Sequence, residues 1–227
     1  MLKLEQVTFP SRAHEVGSLR GVLHLPDETP IAGVVICHPY PPTSNMDRPV
    51  EVAVAQTLCA RGVAALRFNF HSVGQAEVDL QRGPSELLDV GGAIDYFDAM
   101  NVIAGGPLYL CGRSFGASMA LHWGVNDKRV AGIVAISTPL DWADEQVIPR
   151  EALMHYARPK LLIVGDRDHL CSVASLRRLM EALPEPKESY VLPNADHYLS
   201  ARPEEVAEVA ADALVRWAKN RPPRAAG

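Results

Sequence analysis

Short, uninterrupted apolar runs separated by stretches with helical spacing decide what this chain can fold into. Residues 32–37 (AGVVIC), 63–70 (VAALRFNF), 107–111, 130–137, 160–165 (KLLIVG) and 187–192 all have strand length, and most are rich in Val, Ile and Leu. A strand with one wet face alternates apolar and polar residues, so a continuous apolar run must be covered on both faces. Between these runs the spacing predicts helices over residues 50–61, 84–100, 115–125, 173–183 and 204–219, with a short one over 150–157. Glu86 and Asp89 stand where a helix start favours acids. Strands alternating with helices of this length form parallel βαβ units, with helices on both faces of an open sheet. Two further extended stretches, residues 5–10 and 21–25, precede them. The expected class is α/β, with a mostly parallel sheet of about eight strands. Nothing repeats at a fixed period, which excludes a solenoid.

The chain has 227 residues, 48% of them hydrophobic and 22% charged, which suits one well-filled core better than two. A single domain is expected over residues 1–219, with residues 220–227 as a disordered tail, since they carry two prolines and no periodicity. The net charge of −5 comes without any basic run, so neither nucleic acid nor an anionic membrane is an expected partner. Charges at Lys3 and Glu5 interrupt the start where a secretory signal needs an apolar stretch, and no run has the length of a membrane span. The four cysteines, at 37, 59, 111 and 171, are too few for a disulfide framework and lack C-x-x-C spacing. A cytoplasmic setting is therefore expected.

The sharpest local signal is Gly112-Arg113-Ser114-Phe115-Gly116. In a chain of this composition G-x-S-x-G should arise by chance only about 0.06 times. Its context adds weight, because it joins an expected strand to an expected helix. A serine there sits on a strained turn with its hydroxyl lifted above the carboxyl edge of the sheet. The flanking glycines suit a place where a Cβ would collide with the neighbouring strand or helix. The helix start behind it favours the negative charge that develops in acyl transfer. The sequence thus nominates Ser114 as a nucleophile.

A serine needs a base. Of eight histidines, His197 in Asn194-Ala195-Asp196-His197-Tyr198 lies between the last strand and the last helix, where its ring can reach over the carboxyl edge. A third group must hold that ring in the right tautomer. Gly165-Asp166-Arg167-Asp168 follows a strand directly; Asp168 is preferred and Asp166 is the alternative. Serine, aspartate, histidine is also the chain order expected of this arrangement.

With those residues the chain resembles an α/β-hydrolase, specifically a small serine hydrolase with minimal cap, similar to dienelactone-hydrolase-like and esterase-like members. The resemblance spans about residues 21–219. His38-Pro39-Tyr40-Pro41 is similar to the family's oxyanion loop. Leu66-Arg67-Phe68-Asn69-Phe70 with Val73-Gly74, and Gly83-Pro84-Ser85-Glu86 with Asp89, resemble two further family segments. The resemblance implies Ser114 as nucleophile, Asp168 as acid, His197 as base, and the backbone N–H groups of Tyr40 and Phe115 as the oxyanion hole.

The chain departs from the pattern at His71-Ser72, where relatives often carry arginine and glycine. His71, His38, Trp142 and Tyr198 are expected to contact substrate. Only about 22 residues separate Ser137 from Lys160, too few for a large lid. Asp141 and Asp144 in that segment are further alternatives for the acid. The nucleophile of dienelactone hydrolases proper is a cysteine, whereas Cys111 here lies on the strand side of the elbow and is a poor candidate. Metal-binding and phosphate-binding motifs are lacking, so no cofactor or metal is expected.

The expected activity is hydrolysis of a carboxylic ester, with thioesters, lactones and small amides as alternatives on the same site. The competing reading is a non-catalytic scaffold that binds a small molecule or a protein. The expected partner is a small-molecule ester or thioester, and the expected state is monomer or homodimer.

Overall fold

In the computed structural model, residues 3–13, 17–75, 85–103, 105–142 and 147–220 are described. Among the described residues eight strands form one sheet: β1 (Lys3–Pro10), β2 (Ser18–Leu25), β3 (Ala32–Cys37), β4 (Val63–Phe68), β5 (Leu108–Arg113), β6 (Val130–Ile136), β7 (Lys160–Gly165) and β8 (Lys187–Leu192). Six described helices accompany them: α1 (Pro49–Ala60), α2 (Glu86–Ala99), α3 (Phe115–Asn126), α4 (Arg150–Leu153), α5 (Val173–Ala182) and α6 (Pro203–Asn220). The strand order is β1-β2-β4-β3-β5-β6-β7-β8, antiparallel at β1–β2 and β2–β4 and parallel from β4 onward. This is the α/β-hydrolase fold that the motifs imply.

The continuous apolar runs serve two cores. Along β3, Val35 and Cys37 face a core completed by α2, α3 and α5, while Val34 and Ile36 face a second core completed by α1 and α6. The same alternation runs along β5 and β7 and, with a register shift between Ala131 and Ile133, along β6, and these strands are buried at every position. The chain leaves β3 toward β4 on one side and returns to β5 on the other. The sheet therefore changes winding direction between β3 and β5, and the loops leaving their carboxyl ends open a crevice there. One of those loops carries Tyr40 and the other Ser114.

Several boundaries differ from the sequence reading. The first two strands begin earlier than expected, because backbone pairing along β1–β2 extends through positions with polar, exposed side chains. β4 stops at Phe68, where the N–H of Asn69 turns to the Arg20 carbonyl. The helix expected over 150–157 closes after one turn, and His155 and Tyr156 continue it only as tight turns to Ala152 and Leu153. α6 runs on through Asn220, into the segment expected to be a tail; residues 221–227 lie outside the described residues. No described helix is long and apolar enough to cross a membrane.

Candidate active site

Ser114 joins β5 to α3 with φ 54° and ψ −118°, a left-handed conformation that costs a non-glycine residue energy. Surrounding packing enforces it. A Cβ on Gly112 would collide with the Gly116 carbonyl, and a Cβ on Gly116 would collide with the carbonyls of Cys37 and His38. Only glycine lets α3 start this close to β3 and β5. The Ser114 N–H donates to the Ile136 carbonyl at 2.8 Å, and its own carbonyl accepts from Ala117 and Ser118. The hydroxyl is thus projected from a turn fixed on both sides.

His197 places Nε2 2.9 Å from Ser114 Oγ, and Nδ1 lies 2.8 and 2.9 Å from the two oxygens of Asp168. With Nδ1–H donating to the carboxylate, Nε2 is left to accept the serine proton. His197 and Asp168 are only 4% and 6% exposed, which strengthens this pairing by excluding water. Asp168 Oδ1 also accepts the N–H groups of Leu170 and Cys171, so this carboxylate is held by its own loop. The loops of Asp168 and His197 are joined as well: Arg167 N–H donates to the Ala195 carbonyl at 2.9 Å, and a Cβ on Gly165 would collide with that same carbonyl.

The alternative acids stand elsewhere. Asp166 is exposed. Asp141 accepts from Ser172 N–H at 2.6 Å and from the Ser175 hydroxyl, which commits it to the start of α5. Asp144 lies outside the described residues. Tyr40 and Phe115 meet edge to face with ring centroids 6.1 Å apart. As the first residue of α3, Phe115 has an N–H without an acceptor inside the helix.

Two histidines expected to contact substrate are instead engaged by the protein. His38 is fully buried; Nδ1–H donates to the Pro39 carbonyl at 2.6 Å and Nε2 accepts the Phe70 N–H at 3.1 Å. Its role is to brace the loop that carries Tyr40. Burial pushes its pKa down to about 4, with the charge of Arg113 adding to the effect and the Pro39 carbonyl opposing it. His71 sets Nδ1 2.7 Å from Asp89 Oδ2, and Nε2 lies 3.2 Å from Ser85 Oγ. With both ring nitrogens occupied, it ties the loop after β4 to α2. Tyr198 is 59% exposed with its ring edge-on to His197 at 5.9 Å, on the rim of the site. Trp142 is half exposed on the segment after β6. Burial holds the Cys111 thiol well above its ordinary pKa, which suppresses the thiolate.

Three neighbours of the site escaped the sequence reading. His169 is exposed with its ring centroid 5.6 Å from that of His197. Arg113 and Glu51 form a buried ion pair directly under the elbow. Their signal was a charge in the middle of an apolar strand end and an acid inside the apolar stretch Val50-Glu51-Val52-Ala53-Val54. A buried charge demands a partner.

The model of the alpha/beta hydrolase domain family matches residues 34–220. An uncharacterised protein of Rickettsia prowazekii is 27% identical over 197 residues, spanning 84% of this chain and 81% of that protein. Among solved structures, a serine hydrolase without lid from Xanthomonas campestris superposes with a TM-score of 0.77 at 22% identity, covering 97% of each chain. A dienelactone hydrolase from Anabaena variabilis gives a TM-score of 0.78 at 22% identity, over 95% of this chain and 98% of that one.

Proposed function

The chain belongs to the α/β-hydrolase domain family, and from that premise we propose that it is a serine hydrolase cleaving carboxylic esters of small to medium size. The observation that carries this reading is the hydrogen-bonded line from Ser114 through His197 to Asp168. Ser114 Oγ attacks the ester carbonyl carbon while His197 Nε2 takes its proton. Asp168 stays ionised and stabilises the imidazolium. The tetrahedral oxyanion is met by the N–H groups of Phe115 and Tyr40, fixed donors that favour the transition state over the planar carbonyl. The carbon–oxygen bond to the leaving alcohol then breaks, and that alcohol takes the proton from His197. Water, deprotonated by His197, attacks the acyl-enzyme; the bond from the acyl carbon to Ser114 Oγ breaks, Oγ takes the proton back from His197, and the carboxylic acid leaves.

The exposed rings of Trp142 and Tyr198 favour substrates with an apolar acyl or alcohol part. The four cysteines are all free and buried, which fits a reducing, cytoplasmic setting. The decisive experiment is intact-protein mass spectrometry after exposure to a fluorophosphonate. One stoichiometric adduct on the wild type, lost in Ser114→Ala, is expected. A folded wild type that takes no adduct would overturn the reading and favour a binding scaffold.

A further inference from the structure

Arg113 is only 6% exposed although it is charged, and it immediately precedes Ser114. Its Nε and Nη2 donate to the two oxygens of Glu51 at 2.8 and 3.2 Å, and Nη1 donates to the carbonyl of Tyr198 at 3.2 Å. Glu51 is itself 2% exposed and belongs to α1. Stability alone does not account for such a pair, because well-packed apolar residues of the same volume are often as stable or more so. Direction accounts for it better: a guanidinium is a rigid planar fork that fixes its acceptors relative to one another.

The fixed acceptor is a backbone atom of the residue after His197. Ser114 Oγ meets His197 Nε2 at 2.9 Å, and His197 is bonded to Tyr198, whose carbonyl meets Arg113, the neighbour of Ser114. The four residues close a small ring of two peptide links and two hydrogen bonds. Ser114 and His197 stand 83 positions apart in the sequence, so their approach depends on tertiary contacts such as this one. Ala195 and Leu199 are buried in the core, but the Tyr198 ring is 59% exposed, so at that residue the backbone bond to Arg113 holds the loop where side-chain burial does not. Asn194 and Leu199 on either side of His197 both have positive φ, at 57° and 55°, so the loop needs bonds that hold its shape.

We infer that Arg113 is a positioning residue that holds the His197 loop at hydrogen-bonding distance from Ser114, with Glu51 anchoring its guanidinium. The inference deepens the serine-hydrolase reading and rests on it. An error of about 1 Å in the placement of a catalytic group costs on the order of 10²-fold in rate.

The test uses p-nitrophenyl acetate turnover and the rate of fluorophosphonate labelling, both normalised to folded protein. Arg113→Met should lower kcat and the labelling rate together, on the order of 10–100-fold, with KM held within about twofold. Arg113→Lys, which keeps the charge but loses the fork, should recover part of that loss. Because Arg113→Met strands the Glu51 carboxylate and risks unfolding, the double variant Glu51→Gln with Arg113→Met is measured beside it. That variant should fold and show the same kinetic loss. A folded double variant with wild-type kcat and labelling rate would overturn the inference, as would a change confined to KM. A wild type that takes no label would sink the serine-hydrolase reading and this inference with it, whereas a labelled wild type with unaffected variants would sink this inference alone.

Discussion

Two serine–histidine–aspartate lines run through this molecule, and their contact distances are close. In one, Ser114, His197 and Asp168 are linked by contacts of 2.9 Å and 2.8 Å. In the other, Ser85, His71 and Asp89 are linked by contacts of 3.2 Å and 2.7 Å. The surroundings differ. Ser114 is held in a left-handed elbow at φ 54°, whereas Ser85 is an exposed helix-start residue at φ −57° and ψ −20°, an unstrained conformation. Asp168 accepts two N–H groups of its own loop, which leaves His197 free to swing its far nitrogen to the serine. Asp89 also takes the Ser11 hydroxyl and the His71 N–H, so its pair with His71 works as a staple between β1, the loop after β4, and α2. The His71 Nε2 atom also lies 3.9 Å from Glu86, whose Oε1 accepts the Ser72 hydroxyl. A hydrogen-bonded relay supplies a base; a strained elbow beside a helix start and the loop of Tyr40 supplies the rest of an acyl-transfer site.

The sharpest way to break that distinction is to remove each serine. Ser114→Ala should lower ester turnover by about 10⁴–10⁶-fold while the protein stays folded. Ser85→Ala should leave kcat within about twofold of wild type, as an exposed substitution away from the chemistry does. A comparable loss at Ser85, read by the same p-nitrophenyl assay, would show that the second line takes part in the reaction.

The two aspartates should separate next. Asp168→Asn presents an amide where a carboxylate must hold the His197 tautomer, and turnover should fall by about 10⁴-fold. Asp166→Asn, at an exposed position, should change turnover by less than about threefold. Asp89→Asn removes an acceptor that serves three donors, so its cost should appear in urea unfolding at about 1–3 kcal/mol, with turnover per folded molecule nearly unchanged. An Asp89→Asn variant that unfolds like wild type yet loses turnover would reverse the roles assigned to the two lines.

How far these roles could be read in the sequence follows from what fixes each of them. The sheet was legible because β3, β6 and β7 are buried on both faces and so appear as unbroken apolar runs. The extents of β1, β2 and α4 were less so, since they depend on backbone pairing and local turns that side-chain pattern does not record. The turn at Ser114 was legible because Gly112 and Gly116 stand where a Cβ would collide with backbone, and Asp168 and His197 were nominated from the chain order expected of a serine–aspartate–histidine arrangement. The parts played by His38 and His71 were not. A histidine in a loop looks alike whether it meets substrate or the amide of Phe70, 32 residues away. Arg113 and Glu51 stand 62 residues apart, and only the packing of α1 under the elbow brings them together.

The last expected effect concerns stability and pH, with no loss of turnover expected at neutral pH, and it contrasts His38 with the relay it supports. Burial lowers the His38 pKa from 6.5 to about 4, the Pro39 carbonyl opposing and the charge of Arg113 adding to the effect, and the neutral ring keeps an Nε2 lone pair for the Phe70 N–H. An unfolded chain takes up this proton near pH 6.5, and the folded one does so only near pH 4. The unfolded state therefore binds more protons between those values, so the contribution is complete above pH 6.5 and is lost as pH falls toward 4. The difference amounts to about 3 kcal/mol. His24, lowered to about 4 by burial and then by Arg67, adds a loss of the same sign. Asp89 acts in the opposite sense. Burial raises its pKa, so the folded state gains the proton first as pH falls and offsets part of the loss at the acid end. Urea unfolding at pH 7 and pH 4.5 should thus show a decline in wild type that His38→Gln makes shallower and Asp89→Asn makes steeper. Identical slopes for wild type and His38→Gln would mean that the brace under the Tyr40 loop does not depend on the neutral ring.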